Sequence, residues 1–301
     1  MIHRAQDAVR IMRPAYAKIN LYLDVLSCRA DGYHELLTVM QSISLHDDII
    51  LYYEPWRQGE IRLRIYGAPL PTDGRNLVYR AAGKYMEATG QSARVSVTLR
   101  KKIPIAAGLA GGSSDAAATL LALWEASGHA LSRTQLMELA AELGSDVPFC
   151  LAGGTQICRG RGEILEPLPL AAPLYAVVAI GREHVSTPEA FRRMDQYYHG
   201  FDGSVMHGGA PDVLIDALRQ GHPASAAETV YNAFEPVILP TCPQARSLRD
   251  RLLEAGAYTA HMSGSGPSVF GLFDGESAAR RAAALLGRGA YAVRTVGENF
   301  P

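Results

Sequence analysis

Regular alternation of apolar and polar residues is the clearest pattern near the start of the chain. From Ala15 to Val25 every second residue is apolar, and the positions between them carry polar or aromatic side chains. A period of two is typical of a half-buried β-strand, so Lys18 and Asn20 are predicted to project from the same face. Residues 1–13 show no clear period and are predicted to form a loose leader.

Shorter signals predict the next elements. Apolar runs predict strands at residues 36–45, 48–53, 61–66 and 93–100. Caps and 3.6-residue periods predict helices over three further segments: Asn76 to Gly90, Ser113 to Ser127, and a capping-box helix running from Ser132 to Gly144.

The second half of the chain has its own order of elements. Its patterns predict a strand at 174–180, a helix opening at Thr187, helices at 224–234 and 243–255, strands at 258–262 and 268–273, a helix at 276–287 and a strand at 290–296. Residues 200–223, rich in Gly, Pro and His, are predicted to be loop with a short helix. This order is typical of a split βαβ, ferredoxin-like sandwich. The Pro-rich stretch 167–173 predicts a boundary between domains 1–170 and 171–301.

Composition narrows the class of protein. A chain of 301 residues, 48% hydrophobic and 20% charged, is long enough for two domains, and its net charge of −1 disfavours nucleic-acid binding. The four cysteines form no CxxC pair, and no Cys/His cluster has zinc spacing, so they are predicted to be buried thiols. No apolar stretch is long enough to span a bilayer, and the first residues lack a secretory signal, which favours a cytoplasmic protein.

A glycine-rich segment carries the first chemical signal. Residues 100–118 read RKKIPIAAGLAGGSSDAAA, the order strand, small-residue loop, helix start. Small residues let backbone amides approach a phosphate closely, and a helix N-terminus adds partial positive charge. The alternative is a flexible βα connection with an ordinary serine cap. A P-loop is excluded, because the only Gly-Lys pair, Gly83-Lys84, is followed by Tyr85.

The same segment resembles the signature loop of the GHMP kinases. The match rests on Pro104, Gly108, Leu109, Ser113 and Ser114, and the longer Ala-Gly-Gly insert is characteristic of the branch that phosphorylates a cytidylylated methylerythritol. The resemblance implies that ATP is bound by Pro104, Ile105, Ala106, Ala107, Gly108, Leu109, Ala110, Gly111, Gly112, Ser113 and Ser114. Alanines replace glycine at some of these positions, and their methyl groups fit where φ is negative.

Two further segments resemble the same kinases in the same order. AYAKINLYLD at 15–24 places Lys18 at the family's catalytic lysine, and GSDVPF at 144–149 places Asp146 as the catalytic base. Phosphoryl transfer needs a carboxylate to accept the alcohol's proton and a cation to offset charge on the phosphoryl group. The alternatives are a helix N-cap for Asp146 and a surface lysine for Lys18.

The resemblance also implies contacts to the acceptor. RADGYHE at 29–35 is the branch-specific segment, and Tyr33 and His34 are expected to stack on the cytosine and bond its edge; the alternative is a hairpin with a surface aromatic. Asn20 is an expected ligand of the methylerythritol or its phosphates, and Thr187 and Phe191 a second set of contacts, with Phe191 on the other face of the base. MSGSGP at 262–267 resembles a third motif, in which Ser263, Gly264, Ser265 and Gly266 support the phosphate loop.

The implied protein is an α+β kinase with the two-domain GHMP fold. Its N-terminal half is expected to be ribosomal-protein-S5-domain-2-like and its C-terminal half ferredoxin-like. The implied reaction is phosphorylation of the 2-hydroxyl of a cytidine diphosphate derivative of methylerythritol, with ATP and Mg²⁺ as cofactors and protein ligands to the metal left open. Monomer and homodimer both remain open. The alternatives are a homoserine or mevalonate type of GHMP kinase and a catalytically silent nucleotide-binding member.

Overall fold

Groups of one to three strands are followed by groups of one to three helices in the computed structural model, which describes residues 8–198 and 207–300. The strands are β1 (Val9–Cys28), β2 (His34–Pro55), β3 (Glu60–Tyr66), β4 (Ala93–Arg100), β5 (Thr155–Arg159), β6 (Ile164–Pro167), β7 (Tyr175–Ala179), β8 (Tyr231–Asn232), β9 (Thr259–Met262), β10 (Val269–Phe273) and β11 (Ala290–Arg294). The helices are α1 (Leu77–Thr89), α2 (Gly111–Ala126), α3 (Arg133–Leu143), α4 (Val147–Ala152), α5 (Thr187–Tyr197), α6 (Asp212–Gln220), α7 (Pro223–Ala227), α8 (Glu235–Ile238), α9 (Pro243–Glu254) and α10 (Glu276–Leu286).

The first two strands are longer than their sequence patterns indicated. β1 begins at Val9, so residues 9–13 are strand rather than leader, while residues 1–7 lie outside the described part of the chain. Residues 34–55 form a single strand where two were predicted. Both faces of β1 are buried around Lys18 and Asn20, which are 4% and 3% exposed, so this part of the strand is not half-buried as predicted.

The chain divides into two compact units that draw on separate segments. The first comprises the chain up to Tyr16 together with His46–Ile103 and Gly111–Ala152. The second comprises Ala17–Leu45, Pro104–Ala110 and the chain from Gly153 onward. The division of the sequence near residue 170 stays a prediction.

In the first unit, helix α1 packs on strand β3, and the helices α1 to α4 pack on one another. β4 pairs with β3 in parallel and with residues 48–55 of β2 antiparallel. The predicted caps are confirmed: Asn76 accepts a hydrogen bond from Val78 N, and Ser132 and Gln135 form a capping box. α2 is buried from Ser114 to Trp124 on all sides, which explains why an almost wholly apolar and small-residue sequence forms it.

A four-stranded antiparallel sheet forms much of the second unit. Its strand order is β11-β7-β10-β9, and each neighbouring pair is antiparallel. If β7, β9, β10 and β11 are counted as the first to fourth strands of this sheet, the order is 4-1-3-2. Helices α9 and α10 pack on the sheet. The predicted ferredoxin-like arrangement is therefore confirmed. Its core contains buried side chains from several of these strands and helices, among them Val177, Leu252 and Met262.

The predicted helix at 224–234 is wrong. α7 ends at Ala227, and Tyr231 and Asn232 instead form the short strand β8, which pairs in parallel with Tyr22 and Leu23 of β1. Pairing with a strand some 200 residues away overrides the local helical period. The prediction for 200–223 falls partly outside the described residues, and α6 occupies 212–220. Within the described ranges, no helix has both the length and the apolar character needed to cross a membrane.

Candidate active site

A buried lysine lies at the centre of the candidate site in the second unit. Lys18 Nζ donates to Asn20 Oδ1 at 2.6 Å, and Asn20 Nδ2 in turn donates to Thr38 Oγ1 at 2.9 Å. No carboxylate pairs with Lys18 anywhere in residues 8–198 and 207–300. A buried ammonium that has only an amide acceptor is costly, and an anionic ligand would offset that cost.

The second half of the glycine-rich loop, Pro104–Ala110, packs against the Ser263–Gly266 turn. Ser263 Oγ donates to Gly108 O at 3.1 Å, and Ser268 Oγ donates to Ala107 O. A Cβ on Gly108, where φ is +70°, would lie 2.3 Å from Ser263 O, so the close approach requires glycine. The turn and the loop are therefore in direct contact.

Lys18 lies directly beside this contact. Its backbone N donates to Leu109 O at 3.1 Å. A Cβ built on Gly264 of the turn would lie 3.3 Å from Lys18 Nζ, which shows how closely the ammonium approaches the turn. The strand, the loop and the turn thus meet around one buried positive charge.

Two alanines in the loop depart from expectation. Ala106 and Ala110 both have φ of 55°, in the left-handed region, whereas negative φ was expected. Placing a Cβ in this conformation costs about 1–2 kcal/mol per residue. Backbone strain of this kind persists where surrounding contacts enforce it, and it concentrates at ligand-binding segments.

The first half of the loop and the start of α2 belong to the first unit. The helix begins at Gly111, two residues earlier than predicted, and Ser114 Oγ donates back to Gly111 O at 2.9 Å. Gly112 is exposed, and Gly111 and Ser113 are half-buried. The first amides of a helix have no partner within the helix and carry its positive dipole end, so this segment can bind an anion.

A buried ionic cluster that the sequence analysis missed underlies this helix start. Lys101 Nζ donates to Asp47 and, at 2.8 Å, to Asp115 Oδ2; Asp47 Oδ1 accepts the backbone amides of Lys102 and Ile103. Asp115 Oδ1 is buried without a partner among the described residues. Burial raises the pKa of Asp115 well above its usual range, and Lys101 opposes that rise. The available signal was the polar segment from His46 to Asp48 between two apolar stretches.

Asp146 precedes α4 in the first unit. Its carbonyl accepts from Cys150 N at 3.0 Å, but its half-buried carboxylate has no hydrogen-bond or ion-pair partner in the part of the chain that is described. Pro148 has no N–H to donate, and the capping hydrogen bond of the alternative interpretation is not formed. Lys18 lies in the other unit, so the convergence of the two side chains on one hydroxyl stays a prediction.

The predicted acceptor contacts gather in the second unit. The rings of His34 and Phe191 stack with centroids 4.5 Å apart, and Phe191 meets Phe234 edge-on. The His34 and Phe191 rings stack directly on each other, and the expectation that Phe191 contacts the other face of the base stays a prediction. Tyr33 is 52% exposed, and the Arg161 guanidinium lies 4.8 Å from its ring centroid.

Thr187 joins these residues to the Gly turn. It is the first residue of α5, after the Ser186 cap, and its Oγ1 lies 3.1 Å from Ser265 Oγ. The loop, the turn and the start of α5 are thereby linked within one unit.

Comparison with known proteins identifies the family. The models for the GHMP kinases N terminal domain and the GHMP kinases C terminal match residues 76–154 and 214–292. A 4-diphosphocytidyl-2-C-methyl-D-erythritol kinase of Pelotomaculum thermopropionicum is 47% identical over 274 residues, covering 91% of this chain and 93% of the relative. The corresponding kinase of Synechococcus elongatus is 44% identical over 281 residues, covering 89% and 88%. This chain belongs to the 4-diphosphocytidyl-2-C-methyl-D-erythritol kinase family.

Solved structures agree with membership of this kinase family. A crystal structure of 4-(cytidine 5'-diphospho)-2C-methyl-D-erythritol kinase matches with a TM-score of 0.78 and 37% identity, over 95% of this chain and all of that one. A homoserine kinase from Cytophaga hutchinsonii shares the fold at 21% identity, with a TM-score of 0.75 over 99% of this chain and 97% of that one. The expected two-domain GHMP fold is confirmed, and the chain is an ATP-dependent small-molecule kinase.

Proposed function

We propose that this chain transfers the γ-phosphoryl group of ATP to the 2-hydroxyl of 4-diphosphocytidyl-2-C-methyl-D-erythritol, a step in isoprenoid precursor biosynthesis by the non-mevalonate route. The observation that carries the proposal is the buried Lys18 ammonium, which has no carboxylate partner among the described residues and lies beside the Gly264 turn. A relative named 4-diphosphocytidyl-2-C-methyl-D-erythritol kinase is 47% identical to this chain, which supports the choice of acceptor.

MgATP enters as a substrate, with Mg²⁺ bound to the nucleotide's phosphate oxygens. The glycine-rich loop and the first turn of α2 bind the phosphates, because Gly112 is exposed and the first amides of α2 lie at the positive end of the helix dipole. The contact between Gly108 and Ser263 holds the second half of this loop in one conformation.

At phosphorus the transfer makes one bond and breaks one, and the acceptor's O–H bond is exchanged for a bond between the proton and Asp146. The acceptor's hydroxyl oxygen attacks the γ-phosphorus, the bond from that phosphorus to the β,γ-bridging oxygen breaks, and ADP leaves with the bonding electrons. Asp146 accepts the hydroxyl proton, because its carboxylate has no hydrogen-bond or ion-pair partner among the described residues. Lys18 offsets the negative charge on the migrating phosphoryl group.

The acceptor's cytidine end is recognised by the side chains of Tyr33, His34 and Phe191. The base stacks on the exposed Tyr33 ring and hydrogen-bonds through its edge to His34, whose ring is held by stacking on Phe191. Asn20 and Thr187 contact the methylerythritol diphosphate portion. Asn20 is suited to this role because its amide is already oriented by Lys18 and Thr38.

A panel of phosphoryl acceptors tests the assignment. Purified full-length chain is incubated with MgATP and, separately, with the cytidylylated methylerythritol, homoserine and mevalonate, and ADP release is measured. Consumption of the first acceptor alone is expected. Turnover of homoserine or mevalonate with the cytidylylated compound inert would overturn the choice of substrate, and no turnover of any acceptor would favour a silent nucleotide-binding protein.

A further inference from the structure

Three side chains of the types that bind metals, Cys28, His34 and Asp195, meet beside the Phe191 ring. Cys28 is the last residue of β1 and His34 the first of β2, and Arg29 N donates to Tyr33 O to close the five-residue connection between them. Asp195 lies on α5 one turn after Phe191, so both side chains leave the same face of the helix. Cys28 is exposed, contrary to the prediction for all four cysteines; the other three are buried.

The three ligand atoms are spaced almost as a metal would require. His34 Nε2 lies 3.3 Å from Cys28 Sγ and 2.7 Å from Asp195 Oδ1, and Cys28 Sγ lies 3.6 Å from the same oxygen. Tetrahedral zinc, with bonds of about 2.3 Å to sulfur and about 2.0 Å to nitrogen or oxygen, separates its ligands by about 3.5 Å from sulfur and about 3.3 Å between nitrogen and oxygen. The His34–Asp195 distance must widen by about 0.6 Å and the Cys28–His34 distance by about 0.2 Å, and the 41% exposed Asp195 side chain has room to move.

These contacts differ from those of a catalytic proton relay through histidine. Both Cys28 and Asp195 approach the same nitrogen, Nε2, whereas a relay uses the two ring nitrogens of histidine separately. Convergence of a sulfur, an imidazole nitrogen and a carboxylate oxygen on one point is instead the donor set of zinc, because hard cations such as Mg²⁺ disfavour thiolate.

We propose that Cys28, His34 and Asp195 bind Zn²⁺, with the fourth position open to water. Binding forms bonds from zinc to Sγ, Nε2 and Oδ1; the Cys28 proton leaves to solvent, and the His34 proton resides on Nδ1. Stacking on Phe191, which is itself packed on Phe234, holds the imidazole plane in place before metal arrives. A preoriented ring reduces the entropy lost on binding.

Zinc at this position competes with the acceptor, a consequence that rests on the proposed function. A His34 Nε2 that is bonded to zinc cannot hydrogen-bond to the edge of a cytosine. The metal therefore raises the KM for the cytidylylated acceptor while leaving the KM for MgATP unchanged. The chain would thus lose activity reversibly when free zinc rises.

Direct metal binding tests the site without reference to activity. The metal-free full-length chain is titrated with Zn²⁺ against a chromophoric chelator, and with Co²⁺ to detect the charge-transfer absorption of a cobalt–thiolate bond. One zinc per chain is expected, with affinity lowered at least about tenfold in Cys28→Ser, His34→Ala and Asp195→Asn. Cys242→Ser is the matched control, because Cys242 is a buried thiol outside the cluster. Unfolding curves of each variant show that the fold is retained.

The possible results test the zinc site separately from the competition between zinc and the acceptor. Unchanged zinc affinity in Cys28→Ser, or an equal loss in Cys242→Ser, would overturn the site and leave only a hydrogen-bonded cluster. If zinc binds through these residues and the acceptor KM does not rise, the competition is overturned while the site stands. Each zinc-treated rate is compared with the zinc-free rate of the same variant. The zinc effect that remains in Cys28→Ser, which lacks one ligand of the site, measures how much inhibition comes from zinc that binds ATP. Failure of the acceptor panel would be a separate result, since zinc binding is measured without substrate.

Discussion

Lysine is rare in this chain, and two of its four lysines are buried in contrasting surroundings. Lys101 lies between Asp47 and Asp115, so its charge is compensated within the protein. Lys18 has an amide as its partner and no carboxylate among the described residues. A cation left uncompensated in a buried position is available to a ligand, whereas a paired one holds structure together. The same residue type therefore serves two purposes, and the difference lies in what surrounds it.

Replacing Asp146 tests the proposed base. In Asp146→Asn the amide cannot accept the hydroxyl proton, so kcat is expected to fall by about 10²–10⁴-fold while the KM for MgATP stays the same. Steady-state kinetics and nucleotide binding measure the two effects separately. Asp216→Asn, an exposed aspartate 65% accessible at its side chain, is the control. Equal losses of binding and rate would show that Asp146 has a structural role.

Asp115 predicts a pH dependence of stability. Its pKa in the folded chain lies well above the ordinary 3.8 because burial disfavours the charge, so the native state keeps a proton that the unfolded state has lost. The free energy of unfolding must then fall as pH rises from 3.8 through the folded pKa, by up to about 1.4 kcal/mol per pH unit for one proton.

Asp115→Asn removes this titration, since an amide neither ionises nor binds the proton. Chemical denaturation over a range of pH should give a flatter dependence in the variant than in the native chain, with Lys101 still paired to Asp47. The exposed Asp216→Asn variant should keep the native dependence. Identical curves for native chain and Asp115→Asn would contradict the assignment.

Helices and turns follow local signals wherever their contacts are local. The Asn76 cap and the Ser132–Gln135 capping box were predictable because each needs residues only two or three positions apart. The joining of two predicted strands into β2, and the replacement of a predicted helix by β8, depend on pairing with distant strands. Those outcomes follow from partners that a local window does not contain.

The contact between the phosphate loop and the Ser263–Gly266 turn is tested by two glycine substitutions. Gly108→Ala and Gly90→Ala both place a Cβ at positive φ, which costs about 1–2 kcal/mol. Gly108→Ala also brings that Cβ to 2.3 Å from Ser263 O, whereas the Cβ at Gly90 meets nothing within 4 Å. The clash should add about 1–3 kcal/mol of destabilisation and raise the KM for MgATP.

Urea denaturation and steady-state kinetics measure the difference. Gly90→Ala serves as the matched control because it carries the backbone cost without the close approach, at the end of α1. Equal destabilisation of the two variants, with an unchanged KM in both, would show that the loop and turn separate easily and that their contact does not position the nucleotide.

The chain as a whole should be stabilised by its nucleotide. A ligand that binds only the native state raises the free energy of unfolding by about 2.7 kcal/mol at a hundred times its Kd. MgATP is expected to have this effect on the native chain and on Asp146→Asn alike, because the proposed base does not bind the phosphates. Thermal or urea unfolding at matched ionic strength, with sodium chloride as the control salt, measures it. A stabilisation lost in Asp146→Asn would contradict the separation of binding from chemistry.

The amino-acid order was enough for the order of elements in the ferredoxin-like half, because periodicity and caps are short-range properties, and its short motifs were enough for the family through their resemblance to known kinases. Folding was needed to bury the polar face of β1, to set Asp115 against Lys101 and Asp47, and to stack Phe191 on His34. It also placed Asp195 beside Cys28, 167 positions away, in a cluster with no recognisable zinc spacing. Such contacts join side chains through space, and which of them form depends on how the sheets and helices pack rather than on any local pattern.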